Sequence, residues 1–388
     1  MKENNFETQA IRAQLERSEY NEHSVPIYLT SSFVFDTAED MRAAFNDEID
    51  AHIYSRYTNP NNSEFVNKVC LMEKAEAGVA FASGMAAIYT SFMALLKSGD
   101  HVVSCSSVFG ATHALFTKYF PKLNISHSYF NIKNPEDIEK LIKPETRFIY
   151  LETPTNPAIE LIDLEFVSAI AKKHKVLLIV DNCFASPYLQ QPILWGADLS
   201  LHSATKYMDG QGRVLGGVVV GKKELIKDIY LYGRLTGPSL SPFNAWVLSK
   251  SLETLALRME RHCENALFVA EKLESNNALE NVSNPYLKSH PHYAIAIKQM
   301  KMGGGIITIT VKGGYDAAKK FMDKLRMIKI SPNLGDARSI ATHPASSTHC
   351  KLSEEERLAV GITPGLIRIS IGLENKEDVL NDITQALA

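Results

Sequence analysis

The stretch Lys175-Val-Leu-Leu-Ile-Val-Asp181 limits what this chain can fold into more than any other. An unbroken apolar run closed by a carboxylate has no polar face, so it reads as a strand buried on both sides in a parallel sheet. In such sheets ligands sit beyond the carboxyl ends of the strands, so Asp181 stands where a ligand is expected. The same order of strand, loop and helix recurs upstream. Val79-Ala80-Phe81 precedes Ser83-Gly84-Met85 and a small-residue helix; His101-Val102-Val103 precedes Phe109-Gly110 and a helix through Phe120. Phe148 to Leu151 forms a further apolar strand, ending in Glu152-Thr153-Pro154-Thr155-Asn156-Pro157.

Downstream, the segment 196–217, GADLSLHSATKYMDGQGRVLGG, sets Lys206 among the hydroxyls of Ser203 and Thr205 and the bulk of His202 and Tyr207. Hydroxyls bind phosphate oxygens, and a crowded amine can lose its proton near neutral pH. A free amine can then bond an aldehyde. A carboxylate at a strand tip and a lysine on a later loop are the two groups that a pyridoxal 5'-phosphate (PLP) enzyme needs. One keeps the pyridine nitrogen protonated and the other holds the aldehyde. Taken singly, such an Asp is more often a helix cap and such a Lys a solvated surface residue. Their combination with the groups below favours a PLP site.

Tyr54 and Arg56 stand two apart in YSRYTNP, so an extended backbone projects both to one side, where a phenol and a guanidinium suit a phosphate; a solvated turn before Pro60 is the alternative. Gly84, with Met85, marks a strand-to-helix junction whose free N–H groups suit an anion, although tight turns need glycine too. Phe109 can stack on a flat ring or simply pack in the core. Asn156 is a neutral donor near a ring substituent or an ordinary turn residue before Pro157. Alternation in Ile367-Arg368-Ile369-Ser370-Ile371 predicts a half-buried strand with Arg368 opposite the isoleucines. That arginine then serves either a substrate carboxylate or a surface ion pair.

At 388 residues the chain suggests two domains, and its net charge of -3 gives no basic footprint for nucleic acid. Its five scattered cysteines favour reduced thiols over a disulfide framework or a zinc site. His343 and His349, near Cys350, lack further ligands in a workable pattern, so no metal is expected. The polar opening and the lack of a membrane-length apolar run suggest a cytoplasmic chain without membrane attachment. Gly216 to Lys223 comes close to a P-loop, but Lys223 stands where Ser or Thr belongs and Val218-Val219-Val220 reads as strand. Residues 1 to 57 show no sheet pattern and are read as an arm that packs on something other than its own core. Pattern alone then divides the chain into 1–57, a cofactor-binding domain at 58–250 and a C-terminal domain at 251–388.

The motifs YSRYTNP, ASGMAA, ETPTNP, VDNCFASPY, SATKY and LIRISIGLE, in this order over nearly the whole chain, resemble those of the PLP-dependent cystathionine γ-synthase family of Cys/Met metabolism. The resemblance implies a fold type I PLP enzyme: an α/β fold with a mostly parallel central sheet, helices on both faces, and a smaller C-terminal α/β domain. It implies that Lys206 carries the cofactor and that Asp181 faces the pyridine nitrogen. Gly84, Met85, Ser203 and Thr205 would hold the phosphate, and Asn156 would sit near the phenolic oxygen. Arg368 would bind the substrate carboxylate, and Tyr54 and Arg56 would reach a neighbouring subunit's phosphate. A homo-oligomer follows, at least a dimer and by family habit a tetramer, a dimer of dimers with shared active sites.

Two departures from that pattern stand out. Phe109 replaces a tyrosine that many members stack on the ring and use for proton transfer, and a phenyl group moves no protons. Asn333 replaces a serine in the region of the substrate carboxylate. The segments SSVFGATHALF, GPSLSPFNAW and NLGDARSIATHPASSTH resemble most the branch that acts on O-succinyl-L-homoserine. The implied reaction is γ-replacement: an O-acylated homoserine exchanges its acyloxy group for sulfide, giving L-homocysteine for methionine biosynthesis. Cysteine as the nucleophile, an acetyl ester, and cystathionine or methionine γ-lysis are the alternatives within the family.

Overall fold

The computed structural model describes residues 4–388. Seven strands form the larger sheet: β1 (Ala77–Phe81), β2 (His101–Cys105), β3 (Ser126–Phe130), β4 (Thr146–Glu152), β5 (Leu177–Asp181), β6 (Leu199–Ser203) and β7 (Gly217–Gly221). Their spatial order is β1-β7-β6-β5-β4-β2-β3. The β3, β2, β4, β5 and β6 neighbours are all parallel, and only β7 runs antiparallel to both of its neighbours. The apolar run behaves as its composition requires. Leu178, Ile179 and Val180 are wholly buried between β4 and β6, and the strand's two ends, Leu177 and Asp181, are half-buried. The Val218-Val219-Val220 run is strand β7, which disposes of the P-loop reading.

Helices cover both faces. Pro60–Glu73 (α1) and Pro242–Leu252 pack on one side, where Phe65, Val69, Met72, Val218, Val220 and Leu248 share a core. Gly84–Leu95 (α2) lies on the other, bringing Ile88 and Phe92 against Val103, Phe148, Tyr150 and Leu201. At the start of α2 the Ser83 side chain accepts the Ala86 N–H at 3.1 Å, which fixes where the helix begins. The helix expected to run through Phe120 does not stay regular. It is α-helical over Gly110–Ala114, widens over Leu115–Tyr119 and tightens over Phe120–Leu123, where Pro121 supplies no N–H.

The second sheet is built from β8 (Leu279–Ser283), β9 (Ile306–Val311), β10 (Lys329–Ile330), β11 (Ile340–Thr342) and β12 (Leu366–Ser370), in the order β10-β11-β12-β9-β8. Here the half-buried strand expected around Arg368 needs correction. β12 is central, and all of its residues are buried. Ile367 and Ile369 join the core under the helices Leu255–Leu273, Gly314–Lys324 and Lys376–Leu387. Arg368 projects from the opposite face towards the larger sheet, so its side is polar yet equally closed to water. Sequence alternation reports chemical polarity, which here diverges from exposure.

No helix among the described residues is long and apolar enough to cross a membrane. His343 is buried and bonded to Ser346 and to the Pro364 carbonyl.

Candidate active site

A cleft of about 480 Å³ opens where the carboxyl ends of the parallel strands meet the second sheet. Ten of the twelve residues singled out from the sequence line it: Gly84, Met85, Phe109, Asn156, Asp181, Ser203, Thr205, Lys206, Asn333 and Arg368. The topology does this simply. β4, β5 and β6 end side by side, α2 starts beside β6, and the loop before β11 and strand β12 close the far wall.

Lys206 sits on the loop after β6. Burial lowers its amine below the ordinary lysine value, and the nearby Arg368 guanidinium acts in the same direction. Its Nζ donates to the side-chain oxygen of Asn333. Asp181 accepts the Cys183 N–H at 2.9 Å and a long bond from the Tyr150 hydroxyl at 3.4 Å. Burial raises its proton affinity, which the Cys183 amide opposes. Among the described residues no cation pairs directly with this carboxylate, so its strongest possible partner is a ligand cation.

Arg368 is 2% exposed and fixed by neutral acceptors: Asn156 Oδ1 at 2.9 Å and the carbonyls of Pro332 and Asn333 at 3.0 Å each. Its Nε–H has no acceptor among the described residues. Burial pulls its guanidinium down to about 10, so it remains charged at neutral pH. A buried, charged fork with an idle donor and, among the described residues, no acidic partner is suited to a carboxylate from outside the chain.

At the other end of the cleft, α2 offers the first amides of its N-terminus, those of Gly84 and Met85, which have no acceptor within the helix. Gly84 lies so close to β6 that a Cβ there would fall 2.6 Å from Ser203 Cβ. Thr205 is locked to Gly216 by a reciprocal pair, accepting its N–H at 3.1 Å and donating to its carbonyl at 3.3 Å. Free amides at a helix N-terminus and the Ser203 hydroxyl, with Thr205 beside them, suit an anion such as a phosphate. An acid, a shielded amine and Phe109, which is 39% exposed, line the same cleft. The set fits a phosphorylated heteroaromatic aldehyde, with anion sites at both ends.

Tyr54 and Arg56 lie elsewhere, beside Phe33, Phe45 and Tyr57. Their segment is a turn rather than extended, because both the Tyr57 and Thr58 N–H groups return to the Tyr54 carbonyl. They are neighbours nonetheless, with the Arg56 guanidinium 5.6 Å from the Tyr54 ring centroid. Other cleft residues carried no assignment from the sequence, among them Glu152, Cys183, Pro332 and Thr348. Glu152 was visible as the last residue of a predicted strand, the same signal that marked Asp181. Thr348 reaches the cleft only through tertiary folding of a long loop, which no local pattern shows.

Known proteins resemble this chain over nearly its whole length. The chain is 45% identical to O-succinylhomoserine sulfhydrylase from Pseudomonas aeruginosa over 99% of this chain and 95% of that one. It is 42% identical to L-methionine gamma-lyase from Porphyromonas gingivalis, over 98% of this chain and 96% of the other. A solved structure from Campylobacter jejuni that carries N'-pyridoxyl-lysine-5'-monophosphate superposes with a TM-score of 0.95 at 34% identity, covering 99% of this chain and 100% of that one. The family model for the Cys/Met metabolism PLP-dependent enzymes matches residues 7–388. With fold, cleft chemistry and relatives in agreement, the chain belongs to the Cys/Met metabolism PLP-dependent enzyme family and is a PLP-dependent enzyme of sulfur amino acid metabolism.

Proposed function

We propose that this enzyme replaces the acyloxy group of an O-acylated homoserine, O-succinyl-L-homoserine first, with sulfide, releasing the acyl carboxylate and forming L-homocysteine. One observation carries the choice of reaction: Phe109 lines the cleft, and no tyrosine is among the described residues lining it within one chain. A thiolate leaving group, as in γ-lysis, gains from a proton donor. An acyloxy group departs as a stable carboxylate and asks for none. The 45% identity to a sulfhydrylase supports this reading, and the 42% identity to a γ-lyase makes lysis the rival to test.

When bound, PLP supplies an aldehyde carbon for the lysine amine and a protonated ring that accepts electron pairs. Lys206 would hold the aldehyde, and its freed amine would move the substrate's Cα proton to the former aldehyde carbon and, neutral again, take a Cβ proton. Loss of the acyloxy group lets hydrosulfide add at Cγ with its S–H intact, and Lys206 returns the protons. Asp181 would keep the ring nitrogen protonated, and Phe109 would stack on the ring. Gly84, Met85, Ser203 and Thr205 hold the phosphate. Arg368, braced by Asn156, grips the substrate carboxylate, and Asn333 receives the amine between proton transfers.

Tyr54 and Arg56 would complete the phosphate site of a second copy, which makes the working unit a dimer or a tetramer built as a dimer of dimers. The arm supports this: Leu29 is 69% exposed and Val34 97%, apolar surface that water penalises until another chain covers it.

Purified holoenzyme would be given O-succinyl- and O-acetylhomoserine, each with sulfide and then with cysteine, and L-methionine alone. Homocysteine from the succinyl ester and sulfide is expected to dominate. Thiol release from methionine as the fastest reaction would establish the lyase instead.

A further inference from the structure

Glu152 ends β4 in register with Asp181 at the end of β5, so the two side chains share a face of the sheet on strands about 4.8 Å apart. Both line the cleft, and Glu152 is 5% exposed. Its Oε1 accepts the Phe109 N–H at 2.6 Å, and the Tyr150 hydroxyl also bears on the carboxyl group as a donor. Phe109 itself begins the helix Gly110–Ala114 without a side-chain cap. The carboxyl group thus pins the backbone of the residue whose ring faces the cleft.

The groups that bear on Glu152 are few. Asp181 presses from β5, Tyr150 reaches it from its own strand, and the thiols of Cys105 and Cys183 lie nearby. No cation pairs with it among the described residues, and the cleft's two cations are committed, Lys206 to Asn333 and Arg368 to Asn156 and two carbonyls. Two buried carboxyl groups side by side do not both ionise. Burial and then the charge of Asp181 push the proton affinity of Glu152 well up, against the Phe109 amide and the Tyr150 hydroxyl; burial raises that of Asp181 too, against the Cys183 amide, His202 and the Tyr150 hydroxyl.

We propose that Glu152 is a positioning residue that carries the proton of this carboxyl pair, holding Phe109 through Oε1 as a neutral acid and leaving the negative charge on Asp181. The proposal rests on the reading that Asp181 faces the ring nitrogen, because that ligand cation settles which acid ionises. It also explains how the cleft accepts a phosphate and a substrate carboxylate without a second fixed anion beside Asp181.

Glutamine copies a neutral glutamic acid: its oxygen can accept the Phe109 N–H and its amide donates where the acid proton stood. In holoenzyme, Glu152→Gln is expected to keep turnover within roughly tenfold of wild type, with the same pH profile and cofactor absorbance. Glu152→Ala releases Phe109, and turnover falls about a hundredfold with altered circular dichroism of the cofactor band. A glutamine variant as impaired as the alanine one, or with a shifted pH profile, overturns the proposal. An independent measurement needs no variant. In wild type at about pH 8, the infrared spectrum should contain a protonated-carboxyl stretch that moves on carbon-13 labelling of glutamate, and its absence also overturns the proposal. Wild type without a borohydride-sensitive visible band would instead sink the cofactor-site reading, so the two failures are told apart.

Discussion

Asn333 accepts a hydrogen bond from Lys206 through its side-chain oxygen, and its backbone carbonyl accepts one from Arg368. One residue therefore holds the amine and the guanidinium at a fixed separation. Asn333→Ala keeps the carbonyl and loses the side-chain acceptor. A hydrogen bond of about 1 kcal/mol corresponds to a loss of roughly fivefold in kcat. The cofactor absorbance and KM should stay near wild type, since Arg368 is still braced. Steady-state kinetics check this, and a change confined to KM would show that Asn333 serves substrate binding rather than the amine.

Arg368→Lys should separate the two ends of the site. A lysine cannot span Asn156 and the two carbonyls as a planar fork, so the carboxylate loses its aimed partner. At about 1.5–3 kcal/mol for a hydrogen bond to a charged group, kcat/KM should drop roughly ten- to a hundredfold. Cofactor binding, measured by absorbance titration, should be little changed. Loss of cofactor would place Arg368 in the wrong role.

Much of this site was legible because it is made of strand ends. Asp181 and Lys206 stood out by contrast, a charge closing an apolar run and an amine among hydroxyls, and the structure brings both into the cleft. Contacts that depend on two distant segments were not legible. The Asn156 to Arg368 bond spans the two sheets, and nothing local to either residue announces it. Arg368 was taken from a half-buried strand because its neighbours alternate, and only the position of β12 at the centre of its sheet shows both faces covered. Tyr54 and Arg56 fall outside the cleft of their own chain, beside Phe33 and Phe45.

Gly84 is the position where packing and ligand binding compete most directly. A methyl group there would lie 2.6 Å from Ser203 Cβ and 2.9 Å from its Cα, on a strand held between β5 and β7. Because backbone and not a flexible side chain must give way, Gly84→Ala should cost about 1–3 kcal/mol in stability. The shift of α2 away from β6 should also weaken cofactor affinity by roughly tenfold. Thermal unfolding with and without added cofactor measures both effects. An unchanged affinity would remove the α2 amides from the phosphate site.

The buried amine of Lys206 should leave a signature on stability in cofactor-free protein. Burial, with Arg368, holds its folded-state value below that of a free lysine, so between the two values the unfolded chain binds more protons than the folded one. Stability contributed by this group therefore rises with pH across that window. Below it both states are charged and the cost of burying the cation is constant; above about pH 10.4 both are neutral and the cost has gone. Lys206→Met removes the titration while keeping most of the side-chain volume. The difference in Tm, wild type minus Met variant, should be most negative at low pH and climb as pH passes through the window. A difference that stays flat, or runs the other way, would mean that the amine is as well solvated as an ordinary surface lysine, which an enzyme relying on its neutral form could not tolerate.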